Sequence, residues 1–217
     1  MGCGILKQGR RDCAYNTNRR WVKGERNLAS LACTSRIILP ESRWQEIVTH
    51  CKRKLACHYL PGEFQGKRAY GIITGTQNEN QLQVARILPG MNNVRSVEPY
   101  KTYMDRLMAQ HAVPSKTPLS KRGWVMDPLE VKHCYDMCDR ENLIVLGTYH
   151  MHIVPWEGDP IRDTPTYLDT VLVRNSKLFQ FIVSMVDIAN PRIRAFYEGL
   201  TEKEAPILIQ SENTRTL

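Results

Sequence analysis

Two histidines stand two residues apart at the end of an apolar run. Residues 143–146 are Leu, Ile and Val, typical of a buried strand, and GTYHMH follows at 147–152. Side chains alternate along a strand, so His150 and His152 point to the same face. Two neutral imidazoles suit Zn²⁺, with a carboxylate and a water completing the coordination. The motif predicts a zinc site at the strand end; the alternative is a pair of structural histidines.

Strands and helices alternate around the histidine strand, which predicts an α/β or α+β domain. A helix opened at Pro40 carries apolar residues at spacings of three and four, and a second helix leads from Pro128 into the histidine strand. The predicted strands are at 36–39, 69–75, 81–88, 143–152, 179–186 and 206–210, and a helix is expected at 100–111.

In this order and spacing, roughly residues 36 to 198 resemble the JAMM (MPN-domain) metallopeptidases. Their pattern is a Glu, a distant H-x-H and then S-x-x-D, and the match is most specific at GTYHMH. The resemblance implies a curved mixed β-sheet flanked by helices, with cytidine-deaminase-like architecture. It also implies a zinc hydrolase that cleaves a peptide or isopeptide bond, after the C-terminal tail of a ubiquitin-like protein.

The resemblance supplies the remaining candidates for the metal site. His150 and His152 would be the first two ligands of Zn²⁺. Asp169 is preferred as the third because it completes Thr166-x-x-Asp169, although Asp163 lies at the family's usual interval from His152. The Thr166 hydroxyl would donate to the oxyanion, or would simply cap the following helix.

The general base is the point where the chain departs from the family. The family's Glu sits three residues before the first glycine of the G-x-x-x-G strand, and Arg68 occupies that position here, after Lys67. The nearest carboxylate is Glu63, which would be the base if residues 64–68 form a bulged insertion. Otherwise the base is missing, and the alternative function is a non-catalytic MPN-type scaffold or binding module.

Charge and cysteine content bound the remaining possibilities. The net charge is +8, and residues 1–36 contribute +6 of it, so the basic N-terminal arm at 1–35 is the only segment that suggests nucleic acid as a partner. A protein or peptide substrate is the expected partner. Seven cysteines, an odd number, favour a reducing cytoplasm over a disulfide framework. No apolar run approaches the roughly 18 residues of a membrane span.

The predicted organisation is therefore an arm at 1–35, a catalytic domain at 36–200 with an insertion at about 95–127, and a tail at 201–217. A second metal hypothesis concerns two helices, which carry His50, Cys51, Cys57 and His58, and His133, Cys134 and Cys138. Ordinary helix packing is the preferred explanation of these residues, because cysteine is among the most buried residue types.

Overall fold

The histidine strand lies inside a mixed sheet of eight strands. The computed structural model describes residues 36–115 and 117–211, so the arm at 1–35 lies outside the described residues. The strands are β1 Arg36–Pro40, β2 Tyr70–Asn78, β3 Gln81–Pro89, β4 Ile144–His152, β5 Phe179–Ser184, β6 Arg192–Tyr197, β7 Glu204–Ala205 and β8 Ile207–Gln210. Their order in the sheet is β7-β6-β5-β4-β2-β3-β1-β8.

In the described ranges, four α-helices accompany the sheet: α1 Glu41–Leu55, α2 Tyr100–His111, α3 Pro128–Glu141 and α4 Tyr167–Val173. The helices and strands predicted from periodicity are confirmed, with small shifts at their ends. The predicted boundary at residue 200 is not matched by the sheet, because β7 and β8 come from the predicted tail and pair with β6 and β1. The mixed α+β class is confirmed.

Helix α1 covers one face of the sheet. Its buried positions include Trp44, Ile47, Val48 and Cys51, which share one side of the helix. They pack on inward-facing strand residues such as Tyr149 in the larger hydrophobic core. This side of the sheet is called the α1 face below.

Helix α3 covers the opposite side, called the α3 face below. Asp127 caps its first turn by accepting a hydrogen bond from the backbone N–H of Leu129, and Asn142 ends it in the left-handed conformation. A smaller core forms here around Tyr70, Ile72 and Val145. The two faces are therefore chemically separate environments.

The segment predicted as an insertion folds back onto this framework. Helix α2 buries Met104 and Met108, while the stretch at 112–115 remains largely exposed. The Arg95 guanidinium is buried and pairs with Asp105, and its Nε donates to the carbonyl of Arg122 at 3.1 Å. Helix α2 of this segment thus contributes to the packing of the domain, whereas the exposed stretch at 112–115 does not.

Strand β4 runs parallel to β5 and antiparallel to β2. A Cβ at Gly147 would lie 1.9 Å from the carbonyl oxygen of Phe179, so only glycine allows β5 to approach this closely. A parallel pair requires a crossover connection, and this one contains α4. The crossover leaves from the carboxyl end of β4, where both histidines lie, and returns the chain to the start of β5 beside Gly147.

Candidate metal centre

The end of β4 presents both histidines on the α3 face. His150 is 5 % exposed and His152 is 9 % exposed, and their Nε2 atoms lie 3.1 Å apart. The His150 ring lies 5.8 Å from that of Trp124, which stacks on Tyr70 of the smaller core. The strand alternation predicted from the sequence is thus present at the site.

Helix α4 brings a carboxylate to the two imidazoles. Asp169 Oδ1 lies 3.5 Å from His150 Nε2, and Oδ2 lies 3.7 Å from His152 Nε2. Asp169 also belongs to a capping box: its Oδ2 accepts from the backbone N–H of Thr166 at 2.7 Å, and its own N–H donates to Thr166 Oγ1 at 3.2 Å. The cap fixes the carboxylate in place.

These separations fit a tetrahedral cation. Bonds of ~2.0–2.1 Å from zinc to nitrogen or oxygen place neighbouring ligand atoms about 3.3 Å apart. The three observed distances, 3.1, 3.5 and 3.7 Å, bracket that value. His150, His152 and Asp169 form the only group among the described residues whose side chains could jointly hold a metal ion.

The protonation states suit metal binding as well. Burial lowers the pKa of His150, and burial together with the neighbouring His150 lowers the pKa of His152 to about 3. Burial alone would raise the pKa of Asp169, but the two imidazoles and the hydrogen bonds from Thr166 outweigh it and lower this pKa. At neutral pH the site therefore offers two neutral imidazoles and one carboxylate.

The second nitrogen of each imidazole has a different environment. His152 Nδ1 lies 3.1 Å from the backbone carbonyl of Arg162, an arrangement that leaves Nε2 as the ligand atom. His150 Nδ1 is buried and makes no hydrogen bond to any described residue. The loop at Arg162 therefore orients one ligand, and packing against Trp124 holds the other.

Asp163, the competing candidate for the third ligand, is occupied elsewhere. Its carboxylate accepts from Arg194 Nη1 at 3.0 Å, and Arg194 also pairs with Glu204. This ion-pair network ties the loop before α4 to β6 and β7. The structure thus brings Asp169, and not Asp163, to the two histidines.

The structure does not bring Glu63 to this cluster. Its carboxylate forms a two-point ion pair with Arg53 of α1 and accepts from the backbone N–H of Leu60 at 2.9 Å. Lys54 Nζ lies 3.5 Å away and His50 Nε2 lies 3.7 Å away. Glu63 therefore joins a buried cluster of charges at the end of α1.

This second cluster belongs to the α1 face. His50 Nδ1 lies 2.8 Å from the hydroxyl of Tyr149, whose side chain points away from its neighbours His150 and Thr148. Burial would raise the pKa of Glu63, but the Arg53 hydrogen bonds lower it to about 2. Glu63 is thus a firmly ionised partner of α1, and its polar contacts among the described residues are with Arg53, Lys54, His50 and Leu60 and not with the metal ligands.

A cavity of about 600 Å³ opens from the metal ligands. This volume lies within the range of sites for small ligands or peptide side chains. Its wall includes Thr166, whose hydroxyl remains able to donate while its oxygen caps α4. Arg68, the residue at the family's base position, also lines it.

Sequence reasoning missed several residues of this wall, including Arg122, Trp124, Trp156 and Arg162. They lie on connecting segments, where no periodicity predicts which side chains meet. The one signal in the sequence was that Trp156 and Arg162 share the loop after β4. Arg162 lies over the Trp156 ring, with its guanidinium carbon 3.4 Å from the ring centre.

The alternative metal hypothesis finds no geometric support. Cys51, Cys57, Cys134 and Cys138 are free thiols, and no described group of cysteine and histidine side chains converges on a common point.

No helix in the described ranges is both long and apolar enough to cross a membrane.

The sequence matches no protein-family model and no curated protein. Among solved structures, it is similar to the solution structure of protein DSY2949 from Desulfitobacterium hafniense. The two are 20% identical, with a TM-score of 0.52, over 81% of this chain and 94% of that chain. At this identity the likeness concerns the fold alone, and the fold it supports is the mixed α+β sheet with flanking helices.

Proposed function

We propose that the chain is a zinc-dependent hydrolase of the JAMM/MPN type that cleaves a peptide or isopeptide bond. The observation that carries the proposal is the convergence of His150, His152 and Asp169 at the carboxyl end of β4. Two imidazoles and one carboxylate, opening into a cavity, match the three-ligand pattern of catalytic zinc sites. The substrate class that the resemblance implies is the tail of a ubiquitin-like protein.

Each residue of the site has a defined task in this proposal. His150 and His152 would hold the metal, and Asp169 would hold it through a carboxylate that the capping box already orients. When bound, zinc acts as a Lewis acid and lowers the pKa of a coordinated water to about 7. Thr166 lies in the cavity wall, where its hydroxyl would donate to the developing oxyanion.

The proton acceptor is the element the site lacks in its present arrangement. Among the described residues that line the cavity, Asp169 is the single carboxylate, and it is a proposed ligand. Glu63 would have to leave Arg53 and move from the α1 face to serve as the base. This arrangement favours slow turnover, because a general base contributes roughly 10²–10⁴-fold to such reactions.

A second function follows from the same observation: a non-catalytic MPN-type module that keeps its metal and binds a partner. Arg68 lines the cavity in place of the family's carboxylate. A cation there would not accept a proton. In either case we propose a reducing compartment such as the cytoplasm, which is compatible with the free thiols at Cys51, Cys57, Cys134 and Cys138.

Cleavage of a ubiquitin-like fusion by zinc-loaded protein, with and without chelator, separates the two functions. The enzyme proposal expects slow cleavage that the chelator abolishes and that His150→Ala removes. His133→Ala, which changes an exposed histidine of α3, is the matched control and should cleave normally. Stoichiometric zinc without any cleavage would instead support the binding module.

A further inference from the structure

The cavity beside the metal ligands concentrates positive charge. Lys67, Arg68, Arg122 and Arg162 line it, and within the described part of the chain Asp169 is the one acidic residue that does. By contrast, residues 37–217 as a whole carry a net charge of only +2. The four cations and one carboxylate of the lining therefore have a larger net positive charge than residues 37–217 taken together. The excess belongs to the cavity and not to the surface in general.

Arg162 is held rigidly at one side of the cavity. Its side chain is buried against the Trp156 ring, and its Nε donates to the carbonyl of Val154 at 3.2 Å. Asp159 Oδ2 is 3.7 Å from Nη1, a partial compensation that leaves most of the guanidinium N–H donors available. Because the Arg162 carbonyl contacts His152 Nδ1, this cation has a fixed position relative to a metal ligand.

Lys67 and Arg68 approach from the other side. They directly precede Ala69, whose carbonyl accepts a hydrogen bond from the backbone N–H of Met151 at 3.0 Å. Met151 lies between the two histidines in β4, so the residue pair is anchored next to the metal ligands. Arg68 is half-buried, whereas Lys67 is exposed. Two separate segments of the chain thus bring positive charge to the same cavity.

Such an arrangement attracts an anion. A divalent cation held by one carboxylate would leave a net positive charge at the centre, and four further cations line the same cavity. In a partly desolvated site this repulsion is stronger than in water. Guanidinium groups pair with carboxylate and phosphate through two parallel hydrogen bonds, which makes them specific receptors for these groups.

We propose that the cavity binds an anionic group, a carboxylate or a phosphate, that the substrate carries beside the bond facing the metal site. Arg162 and Arg68 are its main receptors, and Lys67 adds attraction at the entrance. The position of the scissile bond rests on the proposed function, but the binding of the anion does not. The substrate class is therefore an acidic or phosphorylated peptide segment.

The test measures binding and not turnover. Trp124 and Trp156 both line the cavity, so their fluorescence reports its occupancy. Zinc-loaded and zinc-free protein are each titrated with four acetylated, amidated tripeptides. One pair differs by a central glutamate or glutamine, and the other by a central phosphoserine or serine. We expect at least one acidic peptide to bind tenfold more tightly than its neutral counterpart in both forms of the protein.

The two pairs distinguish carboxylate from phosphate, and variants assign the receptors. Arg162→Gln and Arg68→Gln should each reduce the acidic preference at least fivefold, whereas Lys132→Gln, an exposed change on α3, should not. If Arg162→Gln fails to fold, Arg68→Gln and the exposed Lys67→Gln decide the question. Equal binding of acidic and neutral peptides, or a preference that vanishes without zinc, would overturn the proposal. If the protein does not bind zinc but still binds acidic peptides more tightly than neutral ones, the proposed function is refuted and the anion site stands.

Discussion

Tyr149 and His150 are adjacent in the chain, yet their side chains serve opposite faces of the sheet. The Tyr149 hydroxyl lies 2.8 Å from His50 Nδ1 on the α1 face, whereas His150 Nε2 lies 3.5 Å from Asp169 on the α3 face. One strand thus separates two buried clusters of ionisable groups. The cluster with Asp169 offers ligands for a metal, whereas the carboxylate of the other cluster, Glu63, is already paired with Arg53 and Lys54.

Asp169→Asn should weaken zinc binding at least tenfold, since it removes the one anionic ligand while keeping an oxygen for the capping box. Asp163→Asn should change zinc affinity less than threefold, because Asp163 pairs with Arg194. Competition with a coloured chelator gives both affinities. The reverse ranking would show that the loop after β4 adopts another arrangement when metal is bound.

Glu63→Gln should lower the free energy of unfolding by about 3–5 kcal/mol, the usual cost of breaking a buried ion pair. The change leaves Arg53 and Lys54 without their shared carboxylate. Zinc content should not change. Chemical denaturation measures the loss, and Glu46→Gln, in an exposed pair with Arg43, is the control that should cost less than about 1 kcal/mol.

The same variant tests the predicted general base. If Glu63 stays in its cluster, cleavage falls only as far as the folded fraction falls. A hundredfold loss of cleavage in fully folded, zinc-loaded Glu63→Gln would restore Glu63 as the base. In that event the Glu63 carboxylate must leave Arg53 and move to the metal site during turnover.

Acid should destabilise the protein in two steps. Burial, followed by the nearby Arg53, lowers the pKa of His50 to about 4 from 6.5, so the unfolded chain binds a proton more readily and stability falls as pH drops from 6.5 to 4. Glu63, with a pKa of about 2 instead of 4.5, contributes stability that is lost between pH 4.5 and 2. Denaturation midpoints across pH measure both steps. Glu63→Gln should make the second step smaller without removing it, because the pKa of Asp169 and of other carboxylates is lowered as well.

Much of this arrangement follows from sequence patterns, and the exceptions have physical causes. The apolar run before His150 and the spacing of His152 predict a strand that aims both imidazoles one way. Thr166-x-x-Asp169 predicts a helix cap, which is also what orients the carboxylate. Glu63 is close to β2 in sequence, but proximity along a chain does not reveal which sheet face a loop follows.

Other features depend on contacts that no local pattern encodes. Arg162 lines the cavity from an irregular loop, and its own backbone adopts the left-handed conformation. Strand β7 was not predicted, because it has only two residues and is defined by its pairing with β6. Both cases depend on tertiary pairing, which overrides local preference.

Gly147→Ala should disturb the fold and the metal centre together. The added Cβ would meet the Phe179 carbonyl at 1.9 Å, so β4 and β5 must separate just before the histidines. We expect a loss of about 1–3 kcal/mol in unfolding free energy and weaker zinc binding. Gly158→Ala is the matched control, because nothing lies within 4 Å of its Cβ position. An unchanged melting temperature for Gly147→Ala would contradict the observed spacing of the two strands.

The zinc content of the purified chain tests the central claim most directly. Elemental mass spectrometry should find about one zinc per chain in the parent and in His133→Ala. It should find almost none in the double variant His150→Ala/His152→Ala, whose circular dichroism should remain that of the folded protein. Stoichiometric zinc in the folded double variant, or no zinc in the parent after reconstitution, would contradict the assignment of the metal centre to the end of β4.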